Sequence, residues 1–140
     1  MSGREKVAVL GLGIIGSRAF QRVAQAGWNA VCWNRTPKGL PAEVESAEAA
    51  AGGASIIALY LKDAPATREV LGRLRSVLNP GQIVLNHATL DLETTRWIDA
   101  LCGDRGCRFL DAPFTGSKLA AQNGQLVYYI GGDPELAAEI

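Results

Sequence analysis

Three glycines near the head of the chain carry the first chemical signal. Gly11, Gly13 and Gly16 stand as G-x-G-x-x-G within KVAVLGLGIIG, Lys6 to Gly16. The run Val7 to Leu10 before them is unbroken and apolar, as in a strand buried on both faces of a parallel sheet, and a helical pattern follows at once. In that order each glycine has its own task. Gly11 allows the tight turn, Gly13 lets a pyrophosphate approach the backbone, and Gly16 lets helix and strand close up. The start of the helix offers unpaired N–H groups and the positive end of its dipole to phosphate. A lone G-x-G-x-x-G is weak, but strand, glycines and helix in sequence read as a dinucleotide-binding turn.

The second signal lies where the next strand ends. The residue there normally meets the adenosine ribose, and an acidic side chain accepts from the 2′-hydroxyl of NAD. Here NAVCW, Asn29 to Trp33, runs into Asn34-Arg35-Thr36. Arg35 can stack on adenine and pair with a phosphate, while Asn34 and Thr36 add neutral hydrogen bonds. Lys38 adds a further positive charge nearby. The reading is NADP(H) in preference to NAD(H).

These residues need a scaffold, and the chain alternates strand and helix patterns throughout. Ile15, Ala19, Val23 and Ala26 recur at helical spacing up to Gly27. Ser46 to Ala51 predicts a short helix with Ser46 as its cap, and Ala54 to Leu61 a buried strand. Pro65 to Leu78 predicts a helix with Val70, Leu71, Leu74 and Leu78 inward, followed by the turn Asn79-Pro80-Gly81. Gln82 to Leu85, Cys107 to Leu110 and Leu126 to Ile130 read as strands. Leu92 to Leu101, Lys118 to Asn123 and Pro134 to Ile140 read as helices. The fold class is therefore α/β, a Rossmann-type doubly wound and mainly parallel sheet. Between Asn34 and Ser46 there is little room for a helical crossover, and Lys38-Gly39-Leu40-Pro41 is poor helix material. An extended connection is expected there, with a brief strand near Val44.

Composition narrows the classes. At 140 residues the chain makes one domain, small for a complete two-substrate enzyme. Lys+Arg and Asp+Glu balance at 14 each, so nothing argues for a nucleic-acid partner. No apolar run is long enough to span a bilayer, which argues against a membrane partner. Cys32, Cys102 and Cys107 read as buried free thiols; with no signal peptide in view, a reducing cytoplasm is the default. Cys102-x4-Cys107 has no further Cys or His ligand close by, so no metal site is expected.

GLGIIG, then WNRTP, then DAPFTGSKLAAQNGQL and YYIGGD together resemble the β-hydroxyacid dehydrogenase family, related to 6-phosphogluconate and 3-hydroxyisobutyrate dehydrogenases. The resemblance runs from Lys6 to Asp133. The wording Gly116-Ser117-Lys118 is most similar to the glyoxylate and succinic semialdehyde reductases, which reduce a small aldehyde acid with NADPH. The resemblance implies that Gly11, Leu12, Gly13, Ile14, Ile15 and Gly16 hold the pyrophosphate. It gives Asn34, Arg35 and Thr36 the adenosine end, with Leu61, Lys62 and Asp63 lining the cofactor groove. Ala88-Thr89 matches a Ser-Thr pair near the nicotinamide, with one hydroxyl lost at Ala88. Asp111 to Gly116 matches the substrate motif, so Thr115, Gly116 and Ser117 are the expected anchors for a substrate carboxylate. Thr115 stands for serine and narrows the pocket by a methyl.

Two departures matter more. The connection after Asn34 is shorter than the family's, and the chain does not reach the helix carrying the family's catalytic lysine. Lys62 and Lys118 are not at its position, so no catalytic residue is expected within this chain. His87 has no adjacent carboxylate to orient it and reads as a groove-lining residue; Tyr128 and Tyr129 read as core and edge residues. The expectation is a dinucleotide-binding domain over residues 1–140, with the family's C-terminal helical domain absent, inactive alone and free to form a homo-oligomer. The rival readings are an imine-reductase-like cofactor domain, which would lack the D-A-P-[VF]-[ST]-G pattern, and a non-catalytic NADP-binding sensor or interaction module.

Overall fold

Five strands form one parallel sheet: β1 (Lys6–Leu10), β2 (Asn29–Trp33), β3 (Ile56–Leu59), β4 (Ile83–Asn86) and β5 (Arg108–Asp111), in spatial order β2-β1-β3-β4-β5. The computed structural model describes residues 5–139, so Ile140, the end of the last expected helix, lies outside the described residues. The strands are apolar at nearly every position because both sheet faces are covered and successive side chains alternate between them. From β1, Ala8 and Leu10 enter one core with Ile57, Leu59 and Val84. Val7 and Val9 enter the other with Ile56 and Ile83.

Helices complete each face. On the first lie α2 (Ala47–Ala51), α3 (Ala64–Leu74) and α4 (Leu92–Asp104), through Ala50, Leu71, Leu74 and Ile98. On the second lie α1 (Ile14–Gln25), through Phe20, and α6 (Pro134–Glu139), through Leu136. Side-chain caps fix three of the starts. Ser46 Oγ accepts from Ala49 N–H at 3.0 Å, Asp63 Oδ1 from Ala66 N–H at 3.0 Å, and Asp91 Oδ2 from Thr94 N–H at 3.0 Å. No described helix is long and apolar enough to cross a membrane.

The short connection after β2 behaves as its composition predicts. Residue 43 forms a single parallel bridge with Cys32: Cys32 N–H donates to Ala42 O at 3.1 Å, and Val44 N–H donates to Cys32 O at 2.8 Å. This is the outline of a strand on the far side of β2. The chain thus travels outward from β1 through β2 to Glu43, then returns across β1 to β3. Strand order reverses between β1 and β3, and in open α/β sheets the crevice at that reversal takes the ligand.

Several element bounds differ from expectation, β3 for one covering only Ile56–Leu59 of the expected Ala54 to Leu61. α3 stops at Leu74 instead of Leu78, where the chain passes into a turn and Val77 N–H donates back to Leu74 O at 2.9 Å. Leu78 is still fully buried, held by a turn in which its N–H donates to Leu74 O at 3.0 Å. Ala26 falls past the end of α1 and is exposed, whereas Phe20 is the large side chain that α1 buries. The strand expected over Leu126 to Ile130 shrinks to β7 (Val127–Tyr128), paired antiparallel with β6 (Phe114–Thr115) outside the main sheet. Pro113 has no N–H to continue a ladder from β5, and the chain turns back so that Asp111 and Gly131 exchange bonds of 3.0 and 2.7 Å. α5 (Lys118–Gln122) links the two strands of this ribbon.

Candidate dinucleotide-binding groove

The carboxyl ends of β1 to β4 open onto one groove formed by two adjoining cavities of about 390 and 290 Å³. Gly13, Tyr60, Leu61 and Lys62 line both. The outer half is walled by Trp33, Asn34, Arg35, Ala66 and Val70, the inner half by Ile14, Ile15, His87, Ala88, Thr89 and Phe114.

The glycine loop separates packing from access. A Cβ on Gly11, which has φ of +101°, would lie 2.3 Å from the Tyr60 carbonyl oxygen, and one on Gly16 would lie 2.0 Å from the Gly11 carbonyl oxygen. Those two glycines let α1, β1 and β3 meet. Around Gly13 a Cβ would meet nothing within 4 Å, so the backbone there is open to the groove. Gly13 is also the N-cap of α1, with no side-chain cap and no acidic residue in the first turn. A twelve-residue helix with bare N–H groups aimed at an open glycine suits an anion. The residues present fit a dinucleotide pyrophosphate.

Asn34 ties this loop to β2. Its Oδ1 accepts from Leu12 N–H at 2.8 Å, and its Nδ2 donates to Thr36 O at 2.7 Å. Both ends of its amide are therefore engaged within the chain. Arg35 is exposed at the rim and pairs with Glu69 of α3, Nη2 donating to Oε2. Lys62 is exposed along the groove, without an ion-pair partner among the described residues.

At the inner end, buried Asn86 organises two loops. Its Nδ2 donates to Ala88 O at 2.9 Å and to Asp111 Oδ1 at 2.7 Å, and its Oδ1 accepts from Ala88 N–H at 3.1 Å. One side chain thus links Ala88-Thr89 to the head of the Asp111–Gly116 motif. An aromatic cluster closes this end. His87 stacks on Tyr60 with centroids 4.4 Å apart and meets Tyr128 edge-on at 5.0 Å. The two tyrosine hydroxyls share a hydrogen bond of 2.7 Å, and Phe114 tilts against both rings. His87 Nδ1 lies 2.8 Å from Ala112 O, which makes it the protonated nitrogen. Burial lowers the His87 pKa to about 4, against a smaller raising effect of that bond, so the ring is neutral near pH 7. Burial likewise pushes Tyr60 far above its ordinary range, and Tyr128 upward, which makes both poor acids.

The expected site residues separate into two groups. Gly11, Gly13, Ile14, Ile15, Gly16, Asn34, Arg35, Leu61, Lys62, Ala88 and Thr89 all border the groove. Leu12 has its side chain in the core and its N–H taken by Asn34, Thr36 is exposed beyond the rim, and Asp63 caps α3. Thr115, Gly116 and Ser117 are exposed just past Phe114 and outside the cavity wall, with Ser117 Oγ accepting from Ala120 N–H at 3.1 Å as the cap of α5. Sequence reasoning missed Tyr60, which lines both halves, and Glu69. Nothing in their local pattern marks either one. Cys32, Cys102 and Cys107 are buried free thiols, with Cys32 raised to about 11 and Cys102 to about 12, chiefly by burial.

An open glycine, an uncapped helix and a groove at the reversal of strand order define a dinucleotide-binding α/β domain. Residues 6–140 match the family described as the NAD binding domain of 6-phosphogluconate dehydrogenase, and the chain belongs to that family. An uncharacterised oxidoreductase of Synechocystis sp. is 30% identical over 141 residues, covering 91% of this chain and 48% of its own length. Glyoxylate/succinic semialdehyde reductase 2, chloroplastic, of Arabidopsis thaliana is 30% identical over 144 residues, covering 96% of this chain and 40% of its own. The solved structure of 3-hydroxyisobutyrate dehydrogenase from Mycobacterium tuberculosis with L-serine superposes with a TM-score of 0.92, covering 97% of this chain and 49% of that one. Its identity is 22%, so that likeness concerns the fold. The chain spans less than half the length of each of these proteins. It is an NAD(P)-binding domain of a family of oxidoreductases that includes hydroxyacid dehydrogenases and reductases.

Proposed function

We propose that the chain binds NADP(H) in this groove as the cofactor half of a reductase for a small carbonyl acid, with glyoxylate and succinic semialdehyde as the first substrates to test. One observation carries the reading. The groove runs unbroken from Arg35, over the open backbone of Gly13 and the bare start of α1, to Thr89 and Phe114 beside Thr115. Arg35 supplies a cation for a 2′-phosphate where NAD recognition would use a carboxylate. Lys62 screens the pyrophosphate, and Asn34 holds the glycine loop in shape by its bond to Leu12.

A bound nicotinamide supplies the hydride chemistry. The chain's own residues border it with Ala88 and Thr89 and seal the inner end with the Tyr60–His87–Tyr128 cluster. Neutral His87 is a wall residue and not a base. The hydroxyl of Thr115 and the backbone at Gly116 and Ser117 anchor the substrate carboxylate, and the proton for the carbonyl oxygen comes from outside residues 1–140. A cytoplasmic setting, supported by three free thiols, belongs to the same reading.

Titration with both cofactors tests it. NADPH is expected to bind about tenfold more tightly than NADH, since a charge-assisted phosphate contact contributes roughly 1.5–3 kcal/mol. Arg35→Ala should remove that preference and leave NADH affinity nearly unchanged. Equal affinities in the unaltered chain would sink the assignment.

A further inference from the structure

We infer that Glu69 is a specificity-determining residue of the outer groove, which lowers the chain's preference for a 2′-phosphorylated dinucleotide by neutralising Arg35. The inference rests on the dinucleotide reading above and concerns a residue that no part of the glycine motif or its neighbours involves. Ala66 and Val70 of α3 line the outer cavity, and Glu69 stands three residues after Ala66, on the same side of the helix. Its carboxylate meets the Arg35 guanidinium across 34 residues of sequence. The other cation within reach on α3, Arg73, is engaged elsewhere: it bonds Glu48 at 2.9 Å and lies 5.7 Å from the Trp33 ring centroid. Glu69 is thus left to Arg35.

The side chains of Arg35 and Glu69 are 63% and 54% exposed, so their pair does little for stability. Its consequence is electrostatic. Arg35 and Glu69 sum to zero at the place where a doubly charged phosphate would dock. An incoming 2′-phosphate must displace the carboxylate and then lie beside it. An unphosphorylated ribose meets no such repulsion. The cation at the end of β2 favours NADP(H), and Glu69 reduces that advantage.

The test is a set of binding titrations of the 140-residue chain with NADPH, NADH and adenosine 2′,5′-bisphosphate, which reports the adenosine end alone. Glu69→Gln is expected to tighten NADPH and the bisphosphate by about threefold to tenfold, with NADH changed less than about twofold. The gain should shrink between about 50 mM and 500 mM salt, because the charges are solvent-exposed. It should also shrink in the Arg35→Ala background, where only the direct repulsion between carboxylate and phosphate is left to relieve. Far-UV circular dichroism checks that the variant is folded, and Glu69→Lys should move NADPH further in the same direction. Unchanged NADPH affinity in Glu69→Gln, with binding intact in the unaltered chain, overturns this inference alone. Absence of binding by either dinucleotide to the unaltered chain overturns the dinucleotide reading and the inference with it.

Discussion

Gly13 and Gly16 belong to one motif, yet the structure gives opposite outcomes for adding a methyl group to each. Gly13 has φ of −71° and ψ of −161°, which alanine adopts without strain, and its added Cβ would meet no protein atom within 4 Å. The only stability cost of Gly13→Ala is a poorer N-cap, about 0.5–1 kcal/mol, or a fall in Tm of roughly 2–4 °C. The methyl would instead stand in the open groove, where a dinucleotide pyrophosphate is proposed to approach. Losing even one charge-assisted hydrogen bond there costs about 1.5–3 kcal/mol, so NADPH should bind at least about tenfold more weakly.

In Gly16→Ala the Cβ would lie 2.0 Å from the Gly11 carbonyl oxygen and 3.0 Å from Tyr60 Cβ. Backbone cannot yield as a flexible side chain can, so α1 must shift away from β1, at about 1–3 kcal/mol or more. The Tm should drop by about 4–12 °C. Thermal unfolding followed by circular dichroism and fluorescence titration with NADPH separate the two effects. A Gly13→Ala protein that bound NADPH as tightly as the unaltered chain would refute the reasoning about access. A Gly16→Ala protein with an undiminished Tm would refute the reasoning about packing.

Other outcomes follow from burial and charge. His87 has its pKa lowered from 6.5 to about 4 in the folded chain, so the unfolded chain binds the extra proton first. Stability is full above about pH 6.5 and falls by up to about 3 kcal/mol as pH drops towards 4, a dependence that urea titrations should show and His87→Gln should largely abolish. Leu74 is fully buried between α3 and the sheet, and Leu74→Ala should cost about 2–5 kcal/mol in the same assay. If the proton donor lies outside residues 1–140, as proposed, this chain with NADPH and glyoxylate or succinic semialdehyde should turn over well below about 1 per second. Ordinary enzymatic rates would contradict that and direct mutagenesis to Lys118 and His87. In a protein that does turn over, Thr115→Val should raise KM with little change in shape, because only the hydroxyl proposed to anchor the carboxylate is lost.

The scaffold was legible wherever a local rule decided it. The apolar run of β1, the glycine turn and the start of α1 are each set by residues close in sequence, and so is the Ser46 cap of α2. The missing crossover helix after Asn34 was also legible, because Gly39 and Pro41 disfavour helix, and the bridge at Glu43 fell beside the expected Val44. Strand ends were less so. β3 stops at Leu59 and β7 shrinks to two residues because pairing partners, not propensity, decide where a ladder ends.

The sequence by itself determined that strand and helix alternate, that three glycines turn the chain from β1 into α1, and that a cation follows β2. These depend on side-chain period, on steric freedom at single residues and on positions fixed along one strand. Only the tertiary structure decided that Asn34 spends its amide on Leu12 and Thr36, that Glu69 reaches Arg35, and that Tyr60, His87, Phe114 and Tyr128 meet at one end of the groove. Apart from the local Asn34–Thr36 bond and the pairing of Phe114 with Tyr128 in the β6–β7 ribbon, these contacts join segments brought together by the order β2-β1-β3-β4-β5, in which the carboxyl ends of strands distant in sequence become neighbours. Hydrogen bonds and ion pairs act over a few ångströms, so their partners exist only once the sheet has set that register.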